Sequence, residues 1–365
     1  MVTLFLCGDV MTGRGIDQIL RHSCAPGLYE PLVKNAHEYV AMAEATSGAI
    51  PTKVPPTYPW GIALEELEHR RPDARIINLE TSVTTSEDAE PKGINYRMHP
   101  ANVDVLSAAG IDCVALANNH VLDWSDAGLF ETLDTLCGAA IRATGVGRTI
   151  DEAQRPAIVA IGDTTRVVVV AVSGNDSGVP RSWSATTIRP GVFRIDDYSP
   201  ANVDRIARLI EPIKRPGDIA VLSIHWGGNW GYEVPDTHRQ FAHALIERAA
   251  VDIVHGHSSH HAKGVELYRH RPILYGCGDF LNDYEGIHGP EGFRDDLTFM
   301  YFASVDQSTG ELRRLELVPL RIHKFQLQRP SLEDRTWLHG VMARECSRIG
   351  SRIVARGDVV TLEST

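Results

Sequence analysis

The stretch Asp252-Ile253-Val254-His255-Gly256-His257-Ser258-Ser259-His260-His261 decides how this chain is read. Four histidines (His255, His257, His260, His261) fall within seven positions, directly after the apolar run 251–254. An apolar run that breaks at a glycine into polar residues reads as a buried strand delivering side chains to the C-terminal edge of a sheet. Imidazole is the commonest side-chain metal ligand and the usual proton carrier near neutral pH. A solvated His-rich turn is the alternative for this run by itself. The other strands of the chain weigh against that alternative, because they end the same way.

The spacing predicts a strand at 2–7 followed by Gly8-Asp9-Val10-Met11, and a strand at 74–79 leading into Glu80. A strand at 112–116 ends in Asn118-Asn119-His120, with Asp123 three residues on. One asparagine there would read as a turn or cap residue, but two amides and an imidazole together are hard to explain by packing. A strand at 218–224 ends in His225-Trp226-Gly227-Gly228-Asn229-Trp230-Gly231-Tyr232. That run suggests a metal ligand beside an aromatic shelf of Trp226, Trp230 and Tyr232, which could hold a substrate residue or be packing. Strands at 265–268 and 272–275 form a hairpin-like pair ahead of Gly278-Asp279. Five strand ends thus carry metal- or proton-competent groups: Asp9, Glu80, Asn119 with His120, His225, and His257 with His260. In an α/β sheet such ends converge on one edge.

Mixed oxygen and nitrogen donors suit one or two divalent ions such as Mn, Fe or Zn, or Ca if oxygens dominate. Asp9, Glu80, Asn119, His225 and His257 are the candidate ligands. His120 with Asp123 is the first candidate acid–base pair, and His257 or His260 with Asp9 or Asp279 the second. Arg14 and Asp279 join the aromatic residues as candidate substrate contacts.

Outside these ends, six prolines between Pro26 and Pro59 mark residues 23–60 as an insertion, with a helix expected at 28–45. Helices are expected at 60–70, 101–109, 125–136, 200–214, 236–250 and 332–349. Antiparallel strands are expected at 297–305 and 312–320. The expected organisation is one domain at 1–325 with a helical C-terminal extension at 326–365.

A formal charge of −11 argues against a nucleic-acid partner. No stretch approaches the ~20 apolar residues of a membrane helix, and the N-terminus has no signal-peptide pattern, so the chain reads as cytoplasmic. Its six cysteines are scattered with no C-x-x-C pair, which favours reduced thiols over a disulfide framework.

Taken together, Gly8-Asp9-Val10-Met11, Asn78-Leu79-Glu80, Ala117-Asn118-Asn119-His120 with Asp123, His225-Trp226-Gly227, Gly256-His257 and Tyr275-Gly276-Cys277-Gly278-Asp279-Phe280 resemble the CapA family. That family is linked to poly-γ-glutamate capsule synthesis and is similar to the calcineurin-like metallophosphoesterases. The resemblance covers residues 2–285. It implies an α/β fold, a four-layer α/β/β/α sandwich with two central mixed sheets, and a metal site at the strand ends. The sequence departs from the phosphoesterase pattern at Met11, where Asp-x-His is usual, and at Glu80, where an aspartate bridges metals. A thioether does not replace imidazole on a hard ion.

Three chemistries follow as expectations. Cα epimerisation of a peptide is favoured, since the chain looks like the CapA-like metal-dependent epimerases of lasso-peptide pathways. Phosphoester hydrolysis and a role in poly-γ-glutamate assembly are the alternatives. The expected partner in the first and third is a peptide or poly-amino-acid substrate.

Overall fold

The computed structural model describes residues 1–287 and 289–363. Three separate apolar clusters stack through the molecule, and they define four layers. Alternation along the strands generates them. In Val2–Val10, Leu4 and Leu6 point one way and Phe5 and Cys7 the other. In Ile219–His225, Ile219 and Val221 share the first direction while Ala220, Leu222 and Ile224 face outward. The strand period of two therefore gives each sheet an inner and an outer apolar face.

One sheet has ten strands. Its main path runs Arg352–Arg356, Val359–Glu363, Leu312–His323, Leu297–Val305, Val2–Val10, Ala74–Leu79, Cys113–Ala115 and Arg142–Thr144. Asp279–Leu281 and Gln326–Gln328 pair onto it from the side. The other sheet has six strands in the order Val265–Tyr268, Arg271–Leu274, Ile253–His257, Ile219–His225, Thr165–Ser173 and Ala157–Ile161. The middle cluster, with Leu4, Leu6, Ile76, Val169, Val221, Ile253 and Phe299, glues the sheets face to face. Helices Ala63–Arg70 and Ser125–Gly138 cover the outside of the larger sheet. Pro200–Ile210 and Asp236–Arg248 cover the outside of the smaller one. This is the expected α/β/β/α sandwich with two central sheets.

Three expectations need correction. The insertion helix begins only at His37 and runs to Ser47, because Pro31 and the irregular chain after Pro26 leave no continuous helix before it. The segment 101–109 splits into the 3-10 turn Pro100–Asn102 and the short helix Asp104–Ala108. The C-terminal segment is not simply helical. Its helix Leu332–Arg348 starts at a Ser331/Asp334 capping box, and the hairpin Arg352–Arg356/Val359–Glu363 then extends the ten-stranded sheet. Among the described residues no helix is long and apolar enough to cross a membrane.

A candidate metal and acid–base site

The inner face of each sheet turns from apolar to polar toward one end, and the site lies at that end. Along Ile219–His225 the inward series continues from Val221 to Ser223 and His225. Along Ile253–His257 it continues from Ile253 to His255 and His257. On the facing sheet Ala74 and Ile76 lead to Asn78 and Glu80 in the same parity. Asp9 breaks parity with Leu6. An irregularity in the pairing of Val2–Val10 with Ala74–Leu79, between Leu6 and Asp9, turns the aspartate inward and Val10 outward. Gly8 sits in this irregularity, and a Cβ there would lie 1.7 Å from the Gly278 carbonyl oxygen. The same close approach lets the Asp9 N–H donate to that oxygen at 2.9 Å.

The polar groups so delivered are buried and mutually bonded. Asn78 donates to Asp9 Oδ1 at 2.7 Å and to Glu80 Oε2 at 3.3 Å. Asn118 donates to Asn78 Oδ1 at 3.0 Å, and the Ser258 N–H donates to Asp9 Oδ2 at 3.2 Å. His225 and His257 face each other through their Nδ1 atoms at 2.8 Å. His257 Nε2 bonds Ser223 Oγ at 2.9 Å, which also bonds His255 Nδ1 at 3.2 Å, and His255 Nε2 meets the Cys7 carbonyl at 2.7 Å. Asn119 Oδ1 lies 3.0 Å from His225 Nε2. Glu80 Oε1 stands 3.8 Å from His120 Nε2 and 4.0 Å from His225 Nε2.

Two clusters have donor atoms close enough to share an ion: Asp9 with His225 and His257, and Asp9 with His260 and Asp279. Asp9 belongs to both. The donor chemistry fits a divalent cation, since two buried carboxylates and three imidazoles converge in the two sets. The electrostatics agree with the geometry. Burial, then the charge of Asp279, pushes Asp9 up to about 7. Burial, then Asp9 and Asp279, holds Glu80 well above the ordinary carboxylate range. Burial keeps His225 and His257 neutral far below the usual imidazole value, as ligation requires.

Two histidine–carboxylate pairs flank the cluster. His120 Nδ1 lies 2.7 Å from Asp123 Oδ2, and Asp123 also accepts from the Tyr96 N–H at 2.6 Å and from Lys92 Nζ at 2.7 Å. With Asp123 accepting, the proton sits on Nδ1 and the Nε2 lone pair is free. Burial outweighs Asp123 and lowers His120 to about 4, so the ring is a neutral base at pH 7. His260 Nδ1 lies 2.8 Å from Asp279 Oδ1, and Asn282 donates to Asp279 Oδ2 at 2.8 Å. Burial opposes protonation of His260, but Asp279 prevails and raises it, which suits it to hold a proton. Both imidazoles line one cavity of about 210 Å³, together with Glu80, Lys92, Asn119, His225, Ser258 and two tyrosines.

The structure thus brings together Asp9, Glu80, Asn119, His120, Asp123, His225, His257, His260 and Asp279. Asp279, expected both as a substrate contact and as the carboxylate partner of His257 or His260, pairs with His260 and stands in a candidate ligand set. Trp226 is a correction. It follows the outward parity of Ile224 and lies in the outer core, stacked on His238 and Tyr275 with its indole N–H on the Tyr275 carbonyl. Tyr232 packs on His261 and Phe293, a layer behind the cavity wall. Trp230 alone of the three aromatics reaches the site, its ring 5.3 Å from that of His260. Arg14 is also a correction: it is 4 % exposed, and its guanidinium is spent on Asp283, Glu30 and Tyr39. It braces the site from below.

Sequence reasoning passed over Asn78, Lys92, Ser223 and the support role of His255. Asn78 and Ser223 were within reach, since each lies two residues before a candidate ligand and so on the same strand face. Lys92 carries no such signal, because it comes from an irregular loop.

The family model described as bacterial capsule synthesis protein PGA_cap matches residues 3–284. A Mycobacterium tuberculosis protein named "probable polyglutamine synthesis accessory protein" is 47% identical over 360 residues, covering 98% of this chain and 94% of its own. The Bacillus subtilis "PGA biosynthesis protein CapA" is 26% identical over 337 residues, 90% of this chain and 74% of its own. The Bacillus anthracis "capsule biosynthesis protein CapA" is 21% identical over 282 residues, 77% of this chain and 60% of its own. On the extent of these matches, the chain belongs to the PGA_cap family of bacterial capsule synthesis proteins.

Proposed function

We propose that this protein is a metal-dependent accessory of poly-amino-acid synthesis that takes a glutamate- or glutamine-type polyamide into its cavity. The observation that carries the reading is the pair of histidine–carboxylate dyads facing one cavity beside a doubly shared Asp9. The names of the relatives support the polymer class. A bound divalent cation supplies positive charge that stabilises negative charge on a carbonyl or carboxylate oxygen. Asp9, His225 and His257 would hold it, which leaves the His260–Asp279 pair free for proton transfer.

Within that reading the two dyads favour proton transfer at a Cα carbon. The neutral His120 takes the Cα proton at Nε2, and protonated His260 returns one to the other face, so one proton leaves and one arrives. The epimerase expectation thereby becomes the finer form of the polymer reading, resting on the opposite protonation preferences of the two imidazoles. Phosphoester hydrolysis has less support, since Met11 occupies the position of a ligand imidazole in that pattern.

The test incubates metal-loaded protein with poly-γ-glutamate and with glutamine oligomers in D₂O, followed by mass and chiral analysis. Metal-dependent deuterium gain at Cα that disappears in His120→Ala, with metal content kept, is the expected result. Metal-dependent binding of polymer without exchange would keep the accessory role and remove the epimerisation. Absence of both binding and exchange would overturn the polymer reading.

A further inference from the structure

Two tyrosines stand between the dyads. Tyr96, ahead of the strand Arg97–Met98, puts its ring edge-to-face on His120 at 4.5 Å. Tyr284, after the strand Asp279–Leu281, does the same to His260 at 5.5 Å. Their hydroxyls lie 2.9 Å apart, and both residues line the cavity.

Two hydroxyls carry two hydrogens, and their mutual bond uses one. Among the described residues the other acceptor within reach is Met11 Sδ, 3.6 Å from the Tyr284 hydroxyl. A thioether is a weak acceptor, so the second hydrogen is under-used at the edge of a cavity. The rings themselves are fixed. The Arg14 guanidinium lies 4.5 Å from the Tyr96 ring centre and 5.7 Å from that of Tyr284, and Asp283 and Glu30 hold it there. Such a bracing cation is costly to bury for packing alone, and it fixes the direction of both phenols.

We infer that Tyr96 and Tyr284 form a hydrogen-bonded hydroxyl pair whose one spare hydrogen is donated to a carbonyl or carboxylate oxygen of the substrate between the two histidine dyads. The inference rests on the polymer reading and deepens it. It assigns to the tyrosine pair the recognition of the oxygen on which negative charge would build, and to Arg14 the positioning of that pair. Met11 acquires a use as well: where an imidazole would compete for the phenolic hydrogen, a thioether leaves it available.

The test is calorimetric titration of metal-loaded wild type, Tyr96→Phe and Tyr284→Phe with γ-linked triglutamate. Phenylalanine keeps the rings against His120 and His260 and removes only the hydroxyls. Each variant should bind about tenfold more weakly, with metal content and melting temperature unchanged. Wild type should give a tyrosine difference-absorption signal on binding that the double variant lacks. Wild-type affinity in both single variants would overturn the donor pair while leaving the polymer reading intact. A loss of affinity accompanied by lost metal or lower thermal stability would make the pair structural and overturn the inference. If wild type itself binds neither triglutamate nor a glutamine tripeptide, the polymer reading fails and the donor pair falls with it.

Discussion

Asp9 is where the two candidate ligand sets meet, and its environment says what it needs. It is fully buried, with Asp279 adding to the cost of its charge, while one amide and one backbone N–H donate to it. Removing its charge should therefore remove the site. Asp9→Asn is expected to lose at least tenfold in metal affinity, measured by titration calorimetry and elemental analysis, because the anionic charge goes and a single amide oxygen replaces the two carboxylate oxygens that the sets share. Met11→Leu should leave the metal stoichiometry of the wild type unchanged, since the thioether faces Tyr284 and belongs to neither set. At this scale the glycine-flanked strand ends made Asp9, His225 and His257 legible. Trp226 misled because its polar, glycine-rich surroundings masked its place in the outward series of Ile224. Lys92 was invisible, since its meeting with Asp123 depends on how an irregular loop folds back.

The strand irregularity at Gly8 is the element on which the geometry turns. Without it Asp9 would follow the parity of Phe5 and Cys7 and point into the outer core. Gly8→Ala sets a methyl against the Gly278 backbone at a distance no rotamer can relieve. It should destabilise the fold by about 3 kcal/mol, read in denaturant unfolding, and should weaken metal binding even in the fraction that folds. Other elements were legible because one period dominated them, as in Ile219–His225 and Leu297–Val305. The hairpin Arg352–Arg356/Val359–Glu363 was not, since its short strands carry arginine and acid residues on an edge rather than an alternating apolar face. The insertion gave only its prolines. Glu30 and Tyr39 reach Arg14 through tertiary contacts that no local pattern encodes.

For the whole molecule, the three apolar clusters set a stability that the site opposes. Asp9 is raised from 3.8 to about 7, so in metal-free protein the folded state holds a proton that the unfolded chain releases sooner. Against the rise that the lowered His120, His225 and His257 contribute, the Asp9 contribution to stability must fall as pH rises across that interval. A divalent cation that binds only the folded state reverses the trend, adding about 2.7 kcal/mol at one hundred times its dissociation constant. Thermal melts at pH 5 and pH 7, with and without a chelator, check both parts. Relative to chelated Asp9→Asn, which keeps the histidines and loses the carboxyl, the chelated wild type should melt progressively lower as pH rises from 5 to 7, and added Mn or Zn should narrow or invert that difference. The layered architecture was legible as a whole because alternating apolar strands and helices leave few ways to bury both faces of two sheets.

The seam between the sheets has a further bearing, on when the chain can take up its ion. Its donors come from positions 9, 225, 257, 260 and 279, so no early segment of the nascent chain holds a ligand set. Closing such distant loops is slow, and contacts of this sequence separation form late in folding. Ion capture therefore marks the completion of folding, and a chain cut before residue 225 would lack the histidines of both sets.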